Sequence, residues 1–221
     1  MGAPVRVDYE APQGRRVNGL GAVFTHGPEA GAFHHETYVR FPLPKGLTAE
    51  TAHAVAHAAR EADDAAASPA LSARLLTAFT KQAAKQQVQV ADFGIIDGAV
   101  LVAFLWKIAG RPAGAPADWR RERPLYVVLD NYSVHHGQAV QEAKAALNAA
   151  GIFLVYLPAY CPELSRIEPL WQTTKHHDLP QRSFAHLGEL KRTVDATLTR
   201  RGIALREAAR QKTDRLFPRT P

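Results

Sequence analysis

Two uninterrupted apolar runs stand out in the chain, Leu125-Tyr126-Val127-Val128-Leu129 and Ile152-Phe153-Leu154-Val155-Tyr156-Leu157. Runs of this length, closed by Asp130-Asn131 and by Pro158, are expected of strands buried on both faces. Between them, Gln138 to Ala150 places Val140, Ala143 and Leu147 at helical spacing and ends at Gly151, a residue suited to stopping a helix. Strand, helix and strand in succession predict a right-handed crossover with parallel neighbouring strands. The chain then runs through Tyr160-Cys161-Pro162-Glu163-Leu164 into Ile167-Glu168-Pro169-Leu170-Trp171, where a helix should begin. That path would return Glu168 towards Asp130, with Trp171 packed beneath the helix.

The earlier part of the chain has a different pattern. Val17 to Phe24 and Ala32 to Phe41, parted by His26-Gly27-Pro28, predict an antiparallel pair of strands. Thr48 to about Arg74 is alanine-rich, with Ala52, Val55, Ala56 and Ala59 at helical spacing and Ser68-Pro69 as an interruption. A further helix is expected from Ile95 to Ala109, with Val100, Phe104 and Ile108 on one face. Arg111 to Pro124, with three prolines and four arginines, predicts an exposed basic loop.

Composition narrows the class. With 221 residues and 46% of them apolar, there is material for one domain with a core, or for one domain and a small appendage. The expected division is a domain over residues 1–190 and a basic helical extension over 191–221, where nine basic residues face three acidic ones. A net charge of +6 and a pI near 9.6 point to a polyanionic partner. The single cysteine, Cys161, excludes an internal disulfide and a cysteine-rich zinc site. No apolar run is long enough to span a bilayer, and the first residues lack the pattern of a signal peptide. The expectation is a cytoplasmic protein with no membrane partner.

Asp130 and Glu168 carry the chemistry. A carboxylate at a strand end and another on a following helix are hard, anionic ligands on rigid elements, suited to a divalent ion that activates a nucleophile at phosphorus. Taken alone, a strand-terminal Asp reads first as a cap for the next helix.

The motifs around these two acids are more specific. Leu129-Asp130-Asn131-Tyr132-Ser133-Val134-His135 and Leu157-Pro158-Ala159-Tyr160-Cys161-Pro162-Glu163-Leu164-Ser165-Arg166-Ile167-Glu168-Pro169-Leu170-Trp171 resemble the DDE endonuclease domain of mariner-type transposases of the bacterial insertion-sequence branch. Thirty-seven residues separate Asp130 from Glu168, close to the spacing in that superfamily. Arg15 to Val23, Lys175, Ser183-Phe184, Leu187 and Leu190 extend the likeness. The resemblance implies an α/β, RNase H-like mixed sheet with flanking helices. It also implies Mg²⁺ or Mn²⁺ held by Asp130 and Glu168, with Asn131 and His135 as neighbours, and cleavage and strand transfer on DNA. Candidate phosphate contacts are Arg120, Arg121, Arg123, Lys175, Arg200 and Arg201.

The chain departs from the family pattern at Ala159, Cys161 and Ser165-Arg166, none of them a ligand. The larger departure is at the start. The family's first catalytic aspartate lies on a strand well upstream of the segment matched by Arg15-Arg16-Val17, and its end-recognising helix-turn-helix lies upstream as well. Only sixteen residues precede Val17 here, so that first catalytic strand is expected to be missing or replaced. Asp8, in the alternating segment Val5-Arg6-Val7-Asp8-Tyr9, is the one candidate for a third acid; as an exposed linker residue it would be structural. Three readings stay open: Val5 to Tyr9 fills the gap, an upstream transposase half supplies the missing strand, or the chain is an inactive DNA-binding remnant. The partners expected besides DNA are that upstream half or a second copy of the chain.

The doublets His34-His35, His135-His136 and His176-His177 lack the cysteine partners or the HExxH spacing of a zinc site. Cys161 reads as a packing residue rather than a nucleophile.

Overall fold

The computed structural model describes residues 16–40, 73–158, 161–179 and 184–216. Asp8, the segment Val5 to Tyr9, most of the alanine-rich stretch from Thr48 and residues Ala159-Tyr160 lie outside them. The described chain is mixed α/β, in agreement with the sequence pattern.

Strands β1 (Val17–Val23) and β2 (Phe33–Val39) pair antiparallel, with Gly21 opposite His35 and Val17 opposite Val39. Their turn depends on glycine, since Gly27 and Gly31 have φ of 80° and 82°, where a side chain is strained. Helix α1 (Ala73–Gln86) comes next, beginning where the alanine-rich pattern is expected to end. Helix α2 (Gly98–Ile108) starts three residues later than the pattern suggests, because Asp97 caps it by accepting a hydrogen bond from Val100 N at 2.9 Å.

Strand β3 (Leu125–Leu129), helix α3 (Gln138–Ala149) and strand β4 (Ile152–Tyr156) form the expected unit, with β3 and β4 parallel and Leu129 opposite Tyr156. Gly151, with φ of 81°, ends α3 as its position implies. Helix α4 (Glu168–Thr173) begins at Glu168 and runs into one π-helical turn over Thr174–Asp178. Helix α5 (Leu187–Leu216) runs unbroken across residue 190. It packs on β2 and buries Thr197 and Leu198.

One core joins both strand pairs. Leu101, Phe104, Leu105 and Ile108 of α2 meet Val140 and Leu147 of α3 and Ile152 of β4, and Leu20, Ala22 and Phe24 from the hairpin close on the same cluster. All three residues of the predicted α2 face are buried. A second cluster gathers Val39, Phe79, Ala83, Phe93 and Leu187 where α1 and α5 meet the end of β2. Close approach of α5 to the hairpin needs glycine: a Cβ at Gly31 would stand 2.7 Å from Leu205 O.

The expected burial of β3 on both faces is corrected by the structure. Leu125, Val127 and Leu129 face the core, while Tyr126 and Val128, with Val155 of β4, are 65%, 55% and 44% exposed. Helices α2 and α3 cover one face, and the other stands open among the described residues. Among the described residues the two strand pairs form separate two-stranded sheets, although they share one core.

No helix among the described residues is long and apolar enough to cross a membrane.

Candidate active site

The end of β3 is fastened to the end of β4. Leu157 N donates to Leu129 O at 2.8 Å, and Asn131 Nδ2 donates to Leu157 O at 2.7 Å. These bonds extend the parallel ladder by one step and place Asp130 at its carboxyl end.

The turn after β3 holds Asp130 in place. Its Oδ1 accepts from Tyr132 N at 3.0 Å and lies 2.7 Å from His135 Nδ1, which is also 3.0 Å from Asp130 O. Both neighbours of Nδ1 are acceptors, so Nδ1 carries the hydrogen. His135 sits on a single 3-10 turn, Ser133–His136, whose His135 carbonyl accepts from the Tyr156 hydroxyl at 2.9 Å. His136 stacks on Tyr156 at 4.5 Å and lies 3.2 Å from Asn131 Oδ1. The capping reading of Asp130 therefore holds beside the ligand reading. Oδ1 fixes the local turn, while the side chain stays 60% exposed and its contacts leave Oδ2 open among the described residues.

Glu168 is the first residue of α4, and its backbone N donates to Ser165 O at 3.2 Å. Its carboxylate has no protein partner among the described residues. Trp171 packs beneath the helix as expected: it lies on the bare backbone of β1 at Gly19 and Gly21 and meets Phe33 edge-on at 6.2 Å.

The basic candidates divide into two groups. Arg120, Arg123, Lys175 and Arg200 are exposed. Arg121 is instead a clasp: it pairs with Glu29 at 2.8 Å, donates to the Ala109 carbonyl and reaches Arg123 O at 3.2 Å. Arg201 makes a two-bond pair with Asp178, at 2.5 and 2.6 Å. That hydrogen bond, the larger cause, holds the Asp178 carboxyl below its ordinary value.

His34 and His35 are both held below the usual histidine value, chiefly by burial. His34 packs edge-on to Phe24 and His35 stacks on Phe33, a packing role. Cys161 is half-buried in the turn before α4.

Oxygen donors with an open lone pair suit a hard divalent cation, and Asp130 and Glu168 are of that kind. They are two, however, and no group of three or more His, Cys, Asp or Glu side chains able to hold a metal occurs among the described residues. Sequence reasoning missed the Gly19-Gly21 seat and the Tyr156 support of the His135 turn. Two glycines at alternate positions of one strand were the available signal for the first.

No curated protein matches the chain. Residues 59–191, more than half of the chain and a span that includes both acids, match the DDE superfamily endonuclease family. The chain belongs to the DDE superfamily of endonucleases.

Proposed function

We propose that the chain is the catalytic portion of a transposase of the mariner-like, insertion-sequence type, with Asp130 and Glu168 as ligands of one shared divalent cation site. The observation that carries this reading is the placement of an exposed, half-open carboxylate at the end of β3 and, at the start of α4, one without a protein partner among the described residues, both within the span matched to the family. Mg²⁺ or Mn²⁺ bound there would activate a water or 3′-hydroxyl and stabilise the leaving oxygen of a DNA phosphodiester. The chain's own contribution is orientation. His135, Tyr132 N and Asn131 hold Asp130 at the strand end, and the exposed Arg120, Arg123, Lys175 and Arg200 would contact phosphates as point charges.

A second reading has its own support: the site acts only when a third acid reaches it. No group of three or more His, Cys, Asp or Glu side chains able to hold a metal occurs among the described residues, and the described strands form two two-stranded sheets rather than one continuous sheet. In-line displacement at phosphorus demands closely fixed ions. The acid would come from Asp8 or from another polypeptide, an upstream transposase half or a second copy.

Cleavage of duplex DNA by the purified chain with Mn²⁺ tests both readings. Activity lost in Asp130→Ala, Glu168→Ala and Asp8→Ala assigns all three acids to one chain. Activity that appears only when an upstream polypeptide is added assigns the third to the partner. Cleavage that survives Asp130→Ala and Glu168→Ala refutes the site.

A further inference from the structure

Helix α4 has six residues, too few to hold a helix by its own hydrogen bonds in water. Its position must come from what it rests on. Glu168 is bracketed by Ile167, one residue before it, and by Trp171, one turn after it, and both side chains rest on the same place in β1. A Cβ at Gly21 would stand 2.8 Å from Trp171 Cζ2, 3.1 Å from its Cη2 and 3.2 Å from Ile167 Cδ1, and one at Gly19 would stand 3.4 Å from Trp171 Cη2. Gly19 and Gly21 occupy the face of the hairpin opposite Leu20 and Ala22, which join the core. Their bare backbone admits the six-membered half of the indole, and Phe33 bounds it from the neighbouring strand.

We propose that Gly21, with Gly19, is a positioning seat for Glu168: it receives Trp171 and Ile167 and so sets where the Glu168 carboxylate stands relative to Asp130. The role rests on the metal-ligand reading of Glu168. A methyl at Gly21 meets a rigid ring at under 3 Å, so α4 must lift or rotate, and the ligand moves with it. Glycine at these two strand positions gives up packing and strand propensity, which the close approach of Trp171 explains.

The test compares wild type, Gly21→Ala, Trp171→Phe and the double variant Gly21→Ala/Trp171→Phe in the full chain. Amide hydrogen exchange without metal reads the seat, at Leu170 and Trp171, whose N–H groups bond to Ile167 O. Mn²⁺ titration followed by electron paramagnetic resonance reads the ligand, and thermal unfolding reads the fold. Gly21→Ala should lose exchange protection at Leu170 and Trp171 and weaken Mn²⁺ binding about tenfold, as disturbed support of a metal ligand typically does. The double variant, whose smaller ring leaves space for the methyl, should recover both signals relative to Gly21→Ala. Unchanged exchange in Gly21→Ala overturns the seat whatever the metal does. Lost protection with unchanged Mn²⁺ affinity, or a double variant no better than Gly21→Ala, overturns the positioning role. Failure of the underlying metal reading shows separately, as Mn²⁺ binding in wild type that Asp130→Ala and Glu168→Ala leave untouched, and it overturns the positioning role too.

Discussion

Asp130 makes two kinds of bond with one side chain. Its Oδ1 closes the turn through Tyr132 N and His135 Nδ1, so a carboxamide at this position would keep part of the turn while losing the charge a cation needs. Asp130→Asn should therefore fold nearly as wild type yet bind Mn²⁺ at least about tenfold more weakly, a contrast that thermal unfolding and Mn²⁺ titration together would show. Another residue-scale prediction concerns the His34-His35 pair. Burial holds both below the ordinary histidine value, with Lys107 opposing protonation of each and Glu29 favouring it at His34. At His35, Asp195 and Glu36 favour protonation and Lys191 opposes it. A depressed folded value contributes stability that is fully present above the unfolded value, about 6.5, and is lost as pH falls through the folded one. Stability should decline from pH 7.5 towards pH 5, and His35→Gln should flatten that slope in denaturant titrations. A slope unchanged by the substitution would remove His35 as its source.

Among the elements, the strand-helix-strand unit was the most legible in the sequence, because Val140, Leu147 and Ile152 lie on the strongest periodic pattern and are fully buried. Leu147→Ala should cost about 2–5 kcal/mol in equilibrium unfolding; a loss well under 1 kcal/mol would mean that the site repacks. The positions of Asp130 and Glu168 at the ends of elements were legible for the same reason, since each closes or opens an element that its neighbours define. Helix α1 was not, because its alanines blend with the stretch before Ser68-Pro69 and give no boundary. The apolar run of β3 was over-read. Tyr126 and Val128 look like core residues in sequence, yet they stand open among the described residues, so a continuous apolar run records what a strand can bury rather than what covers it. The seat at Gly19 and Gly21 was hidden because glycine in a strand reads as weakness until the Trp171 ring is seen against it.

At the scale of the whole molecule, the charge of +6 and the exposed Arg120, Arg123, Lys175 and Arg200 predict duplex DNA binding with little sequence preference and steep loss of affinity as salt rises, because phosphate neutralisation releases counterions. Lys175→Ala should weaken binding evenly across sequences and lower the salt slope by about one, whereas Arg121→Ala, which breaks a clasp to Glu29 and Ala109, should act mainly on stability. Salt-insensitive, sequence-specific binding would contradict that picture. The central claim is that Asp130 and Glu168 share one cation. Its most direct test is a Mn²⁺ titration of the purified wild-type chain beside Asp130→Ala and Glu168→Ala, followed by electron paramagnetic resonance. A shared site predicts one ion bound in wild type and that ion lost in both variants, with the fold retained. Binding that persists in either variant would contradict it.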